Sequence, residues 1–403
     1  MPLPSENPEG SARPVGIRAS ATYFAELESL RGVAALLVFL FHADGWLRFG
    51  TTEVTGTWSS LPLAFIRGGH SGVSLFFVLS AFLLSQPFLK EIAGGRRVSR
   101  ANFYRRRALR ILPLYYTVVL LATALNAESL ADGFIAIPYL LFLEPMAQWV
   151  EPLEPFSGVW WSLATELQFY LLLPFLPLLM GRRARFGWAA LALYALAYWL
   201  LFVVGVLHNT WPVFHYFLGL GVPGRANFFL LGILAAWWYQ HYGLSARERL
   251  AASPLWRNGG ADLLLLSIIV AQGALLRWSV YTGYFEAERP VNFLWHLPEG
   301  MLWTALVLVI LVAPLRSKIL FSNRVLARVG VLSYSMYVLH LPVLVAWNRL
   351  STHIDFLRPA LGSGWVLVGC LWVAIGLLLC LGLSAITYRV IESPFLRRKR
   401  RLA

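Results

Sequence analysis

Long apolar runs, each near the length of a membrane-crossing helix, alternate along this chain with short polar connections. The runs cover 27–47, 71–89, 109–126, 158–180, 188–207, 226–242, 261–280, 292–313, 331–349 and 363–386. A helix rises about 1.5 Å per residue, so about 20 apolar residues cross a bilayer core. The pattern therefore predicts an all-α polytopic membrane protein, a bundle of about ten transmembrane helices. Residues 1–25 are polar and carry Pro and Gly, and they are expected to be disordered. They lack the form of a cleavable signal, so the first run is expected to stay as a helix.

Composition agrees with that pattern. The chain is 58% hydrophobic and 13% charged, with a mean hydropathy of +0.63. A soluble domain cannot hide so much apolar surface, whereas a membrane bundle leaves it against lipid. Seventeen Trp and sixteen Tyr suit aromatic anchors at the two interfaces. The net charge of +14 is expected to be a topological signal rather than a nucleic-acid footprint. With the N-terminus placed in the cytoplasm, the dense basic clusters all fall on that side. They are 90–110, Arg182–Arg185, 316–328 and the tail at 397–403. An even span number with both termini cytoplasmic follows. Cys370 and Cys380 share one run, about 15 Å apart on a helix, too far to bond. No thiol metal site is expected.

Ionisable groups inside apolar runs are costly and mark function. Arg31 opens the first run and His42 lies within it. Eleven residues of helix bring them to within about 20° of one face, about 16 Å apart, and put His42 near the middle of the membrane. In FYRRRALRILPLYY, Arg106, Arg107 and Arg110 gather on one side of a helix. Converging guanidinium groups suit a phosphate-bearing ligand, since each offers a bidentate fork. In WWSLATELQFYLLLPF, Glu166 lies inside a span and shares a face with Ser162. Such a carboxylate can orient a histidine, bind an acceptor hydroxyl or hold an arginine. In GVLSYSMYVLHLPV, Ser333, Tyr337 and His340 form one stripe that faces protein or a cavity rather than lipid. A fainter pair is His296 and Glu299, and Tyr388, Arg389 and Glu392 mark the end of the last span. Segment 128–157 carries five acidic residues and no basic one. Its run IPYLLFL is too short to span, so it is expected to lie at the interface or re-enter. A second loop, 208–224, is rich in aromatics and glycine.

Six segments together resemble the acyltransferase 3 family of integral membrane acyltransferases. They are ELESLRGVAALLVFLFHA, SGVSLFFVLSAFLLS, RRALRILPLYY, WSLATELQFY, SYSMYVLHLP and YRVIESP. The likeness runs over about residues 26–396, which is taken as the transmembrane domain. It implies transfer of an acyl group, commonly acetyl, from acyl-coenzyme A to a hydroxyl. Acceptors in that family include O-antigen, exopolysaccharide, peptidoglycan, lipid-linked sugars and macrolides. The family's Arg-x10-His motif falls on Arg31 and His42, with His42 the expected catalytic group. Its Arg-x-x-Arg motif falls on Arg107 and Arg110, expected with Arg106 near coenzyme A. Its intramembrane glutamate falls on Glu166. Trp161, Ser162, Tyr337 and His340 stand in the matched segments as expected substrate contacts. One departure is Ser80-Ala81, where the family has Ser-Gly.

The expected chemistry starts with coenzyme A phosphates on Arg107 and Arg110 and the acyl arm reaching His42. His42 acts as general base for the acceptor hydroxyl, or alternatively carries the acyl group itself. Glu166 orients His42 or binds the acceptor, and Arg31 is one candidate for the oxyanion. No permanently bound cofactor, metal or nucleic acid is expected; acyl-coenzyme A is a donor substrate. The expected place is the cell (inner, cytoplasmic) membrane. No soluble domain is expected after the last span, and a second step is expected to need a partner. The preferred acceptor is a glycan, with a small metabolite such as a macrolide as the alternative. A transporter or flippase for a glycan carrier is a reading of another class.

Overall fold

The structure, a computed structural model, describes residues 24–47, 60–144, 151–180, 220–281, 291–354 and 366–400, with a few isolated positions besides. Its described elements are helices: α1 (Ala25–Leu47), α2 (Leu61–Arg67), α3 (Ser71–Ile92), α4 (Arg100–Asn126), α5 (Ala136–Leu140), α6 (Trp161–Leu172), α7 (Leu176–Met180), α8 (Val222–Ala252), α9 (Ala261–Tyr281), α10 (Val291–Val312), α11 (Lys318–Phe321), α12 (Arg324–Ser351), α13 (Val366–Thr387) and α14 (Ser393–Arg400). Seven stretches among the described residues are long and apolar enough to cross a membrane. They contain α3, α4, α6 with α7, α9, α10, α12 and α13. The helices α1 and α8 have the length, but α1 carries Glu26, Glu28, Arg31 and Asp44, and α8 ends in SARERLAA. The expected span 188–207, most of loop 208–224 and the N-terminal 1–23 lie outside the described residues.

Local signals set the helix ends. Ser99 caps α4 by accepting the Asn102 N–H, and Asn323 caps α12 by accepting that of Val325 at 2.7 Å. Leucines such as Leu125, Leu178, Leu263 and Leu367 point outward and are exposed. In a bilayer they face acyl chains, so their exposure carries no penalty. Cys370 is exposed, Cys380 is buried, and both are free.

Packing contacts run in series from α13 through α12, α1, α3, α8 and α10 to α9. The two central crossings rest on small residues. A Cβ at Gly330 of α12 would run into the Glu28 carbonyl oxygen of α1, and one at Gly32 into that of Leu326. The backbones of α1 and α12 therefore touch. A Cβ at Gly232 of α8 would lie 2.6 Å from that of Ala81 on α3. Ala81, the departure noted in the sequence, thus occupies a helix crossing rather than a cavity. Helix α4 joins α12 through the Tyr334 hydroxyl, which donates to the Ile111 carbonyl at 2.7 Å.

Ion pairs fix which ends lie together. Lys318 meets Glu26 at 3.0 Å and Arg100 meets Glu91 at 2.6 Å. Phe24, at the start of α1, packs with its ring centroid 6.2 Å from that of Phe82 of α3, so the starts of α1, α4 and α11 and the end of α3 share one end, rich in basic residues. At the opposite end the segment after α4 folds back onto it. The Tyr115 hydroxyl donates to the Tyr139 carbonyl at 3.0 Å, and Tyr116 to that of Leu140 at 3.2 Å. Phe134, Ile137 and Leu141 are left exposed, an interfacial arrangement. In this segment Asp132 accepts the backbone N–H groups of Ser129 and Glu128, which holds its carboxyl below the usual range. Burial pushes the Glu144 carboxyl up to about 8.

Candidate active site

Helices α1, α3, α4, α6 and α12 surround a pocket in the interior of the bundle. Each contributes a polar residue to an otherwise apolar wall. Arg31, Arg107 and Arg110 line it together, although α1 and α4 are far apart in sequence. Three guanidinium groups in one pocket repel each other, and each is held by a local device. Arg31 donates to Ser333 Oγ at 3.3 Å and lies 3.9 Å from Glu28. Arg107 sits over the Tyr170 ring, 5.7 Å from its centroid. Arg110 pairs with the buried Glu392 at 3.2 Å and lies 5.8 Å above the Tyr334 ring. Glu392 also accepts a hydrogen bond from Ser335 Oγ. Arg106 does not line the pocket.

Glu166 lines the same pocket and accepts a 2.6 Å hydrogen bond from Ser80 Oγ. Ser80 Oγ is also 3.2 Å from the Tyr170 hydroxyl. No hydrogen bond joins Glu166 to His42 here; the Glu166 carboxylate meets α3 through Ser80. Ser162 and Tyr337 close the far end of the pocket. Their oxygens are 2.6 Å apart, and the Tyr337 hydroxyl is 3.1 Å from the Val159 carbonyl.

His42 lies just beyond that end, outside the lining. Its Nδ1 is 2.9 Å from the Val38 carbonyl and 3.2 Å from Nε2 of His340. His340 Nδ1 is 2.7 Å from the Tyr337 carbonyl, and the His340 ring lies 5.7 Å from that of Tyr337. Arg31 and His42 both face α12, one through Ser333 and the other through His340, as their shared face requires. Helix α1 begins at Ala25, nearly two turns before Arg31. His42 therefore lies about 26 Å along a helix of about 34 Å, three quarters of the way from its start.

A second buried polar cluster sits at the same depth as His42 or beyond it. Arg225 Nη1 is 2.6 Å from His296 Nε2, and His296 Nδ1 is 3.3 Å from Glu299 Oε2. Ser71 donates to Glu299 at 2.5 Å and accepts from Trp303 at 2.8 Å. Arg225 also stacks 5.2 Å above Trp161, which places Trp161 in this cluster and not in the pocket lining. The sequence reading found His296 and Glu299 but missed Arg225 and Ser71. Arg225 does carry a signal, a lone cation at the head of an apolar run. Ser71 carries none. Among the described residues no group of His, Cys, Asp and Glu is placed to hold a metal ion.

A family model described as an acyltransferase domain matches residues 24–389. The O-acetyltransferase OatA of Staphylococcus aureus (strain NCTC 8325 / PS 47) is 26% identical over 406 residues, covering 94% of this chain and 58% of that protein. Nodulation protein 10 of Rhizobium leguminosarum bv. viciae is 30% identical over 232 residues, covering 52% of this chain and 59% of that protein. The match takes in less than two thirds of the length of these relatives. No solved structure matches.

Proposed function

The chain belongs to the acyltransferase 3 family, and on that premise we propose that it is a multi-pass O-acyltransferase of the cytoplasmic membrane. It moves an acyl group, acetyl as in the O-acetyltransferase relative, from acyl-coenzyme A to a glycan hydroxyl. One observation carries the reading. Arg31 and His42 lie on one face of α1, about 16 Å apart, with a pocket between the arginines and the imidazole.

In this reading the arginines of the basic end hold the phosphates of coenzyme A. The pantetheine arm follows the pocket past Ser162 and Tyr337 and brings the thioester to His42. The imidazole takes the proton of the acceptor hydroxyl as its oxygen attacks the thioester carbonyl. The C–O bond forms, the C–S bond breaks, and the proton passes to the sulfur to give free coenzyme A. Glu166 and Ser80 form a polar wall beside Tyr170 and Arg107, along the stretch of pocket that the pantetheine arm enters first. The acidic residues of 128–144 and 151–157, at the opposite end, mark the acceptor's side.

Purified protein in detergent is tested with labelled acetyl-coenzyme A and with glycan or macrolide acceptors. His42→Ala is expected to lower transfer by at least about 100-fold, the usual worth of a general base. Its melting temperature in detergent should stay near that of the wild type, since one imidazole adds little to a bundle of this size. Transfer by His42→Ala at the wild-type rate would remove His42 from the reaction. Transfer to a macrolide but to no glycan would move the acceptor to the small-molecule class. Movement of a glycan carrier without transfer would favour the flippase reading.

A further inference from the structure

We infer that His340 is the positioning residue for His42: it accepts the Nδ1–H of His42 on its own Nε2 and so leaves His42 Nε2 as the reacting nitrogen. The inference rests on the reading of His42 as the base and deepens it.

The argument needs only the hydrogen-bond partners. A backbone carbonyl accepts and never donates. His42 Nδ1 lies 2.9 Å from the Val38 carbonyl, so Nδ1 carries the proton. His340 Nδ1 lies 2.7 Å from the Tyr337 carbonyl, so it carries its proton there as well. A neutral His340 then has a lone pair on Nε2, and that atom is 3.2 Å from His42 Nδ1. The contact is complementary: one N–H on α1 is shared between a carbonyl of its own helix and an imidazole lone pair from α12. Both tautomers are thus set by the backbone rather than by a carboxylate. His42 Nε2 remains the one ring atom able to take a proton or an acyl group.

The arrangement does what a carboxylate does in a Ser-His-Asp triad, with a difference in charge. His340 is 1% exposed and sits among apolar residues of α1 and α12. A carboxylate there would be costly without a partner, whereas a neutral acceptor is not. When His42 is protonated in the reaction, the His340 lone pair still faces an N–H. When an acyl group sits on His42 Nε2, the same holds. The placement therefore serves either route.

The experiment has two arms. In the first, 15N-histidine-labelled wild-type protein in detergent is studied by NMR, with His42→Ala and His340→Phe used for assignment. His340 should show a protonated Nδ1 and a non-protonated Nε2 coupled to His42. A His340 protonated at Nε2 overturns the inference. In the second, acyl transfer is measured for His340→Phe and His340→Gln. His340→Phe should lower kcat by about 10- to 100-fold, the usual effect of losing a histidine's supporting partner, while KM for acetyl-coenzyme A holds. His340→Gln can present a side-chain oxygen to His42 and should regain much of that loss. In the His42→Ala background, His340→Phe should cost nothing more. Unchanged kcat in His340→Phe, or a change in KM alone, overturns the inference while His42 stays the base. If His42→Ala itself keeps activity, the underlying reading fails instead.

Discussion

An arginine inside a membrane bundle needs a partner for its charge or a ligand that supplies one. Arg107 and Arg110 are only a turn apart on α4 but are held differently, and this separates their predicted behaviour. Arg107 rests on the Tyr170 ring, so Arg107→Ala should raise KM for acyl-coenzyme A by about 10- to 100-fold, the worth of a charged hydrogen bond. Its melting temperature should hold. Arg110 is already paired to Glu392, which is 2% exposed. Arg110→Ala strands that carboxylate and should also cost about 3–5 kcal/mol of stability. Adding Glu392→Gln should restore the melting temperature and leave KM high. Equal loss of donor and acceptor affinity in Arg107→Ala would point to a packing role. At this scale the sequence displayed Arg31, His42, Arg107, Arg110 and Glu166, because a charge within an apolar run is anomalous. It did not display which partners they take. Ser333 and Glu392 stood out in the sequence, but not as partners of Arg31 and Arg110, which are distant in the chain, and Ser80 and Ser335 are ordinary residues in a membrane helix.

Helices bring these partners into register, and the α1–α12 crossing governs the site. Arg31 with Ser333 and His42 with His340 both depend on the spacing of these two helices. That spacing is set where a Cβ at Gly330 would meet the Glu28 carbonyl. Gly330→Ala should push the helices apart, since backbone cannot give as a flexible side chain does. A loss of about 1–3 kcal/mol is expected, the usual cost of overpacking, with a fall in kcat from the loosened imidazole pair. Gly382→Ala on α13 is the control: nothing lies within 4 Å of a Cβ there, so stability and activity should hold. Detergent melting and acyl transfer of both variants check this, and parity between the two would deny the crossing its role. Helix positions were legible as apolar runs, because length and hydropathy suffice for that. Which helices touch was not, because lipid-facing and protein-facing leucines read alike in sequence. The start of α1 was nearly legible: the apolar run begins at 27 and the helix at Ala25. Glu26 in its first turn pairs with Lys318, a contact the sequence did not display.

For the molecule as a whole, charge and ion pairing agree on one axis. Lys318–Glu26 joins the starts of α11 and α1, and Arg100–Glu91 joins the start of α4 to the end of α3. The Phe24 ring, 6.2 Å from that of Phe82, brings the two pairs to one end. The described parts of the acidic segment, 128–144 and 151–157, lie at the other end, with Tyr139 and Leu140 folded back on α4. On the proposed reading, positive-inside bias would put the basic end in the cytoplasm, on the side of the coenzyme A donor. Arg31, Arg107 and Arg110 would then face the donor's compartment, and His42, three quarters of the way along α1, would sit closer to the acceptor's. The axis is testable without any assay of transfer. Cys370 and Cys380 are replaced first, and single cysteines are placed at Glu151 and at Arg324, both exposed and at opposite ends. In intact cells a membrane-impermeant thiol reagent should modify Glu151→Cys and spare Arg324→Cys until the membrane is opened. Modification of both in intact cells would put the two ends on one side and break the proposed path from donor to acceptor. If the labelling holds, substitutions in 128–144 and 151–157 should change acceptor KM and leave that of acyl-coenzyme A alone. A silent result there would mean the hydroxyl reaches His42 from the lipid or the cytoplasm, as a small apolar acceptor could.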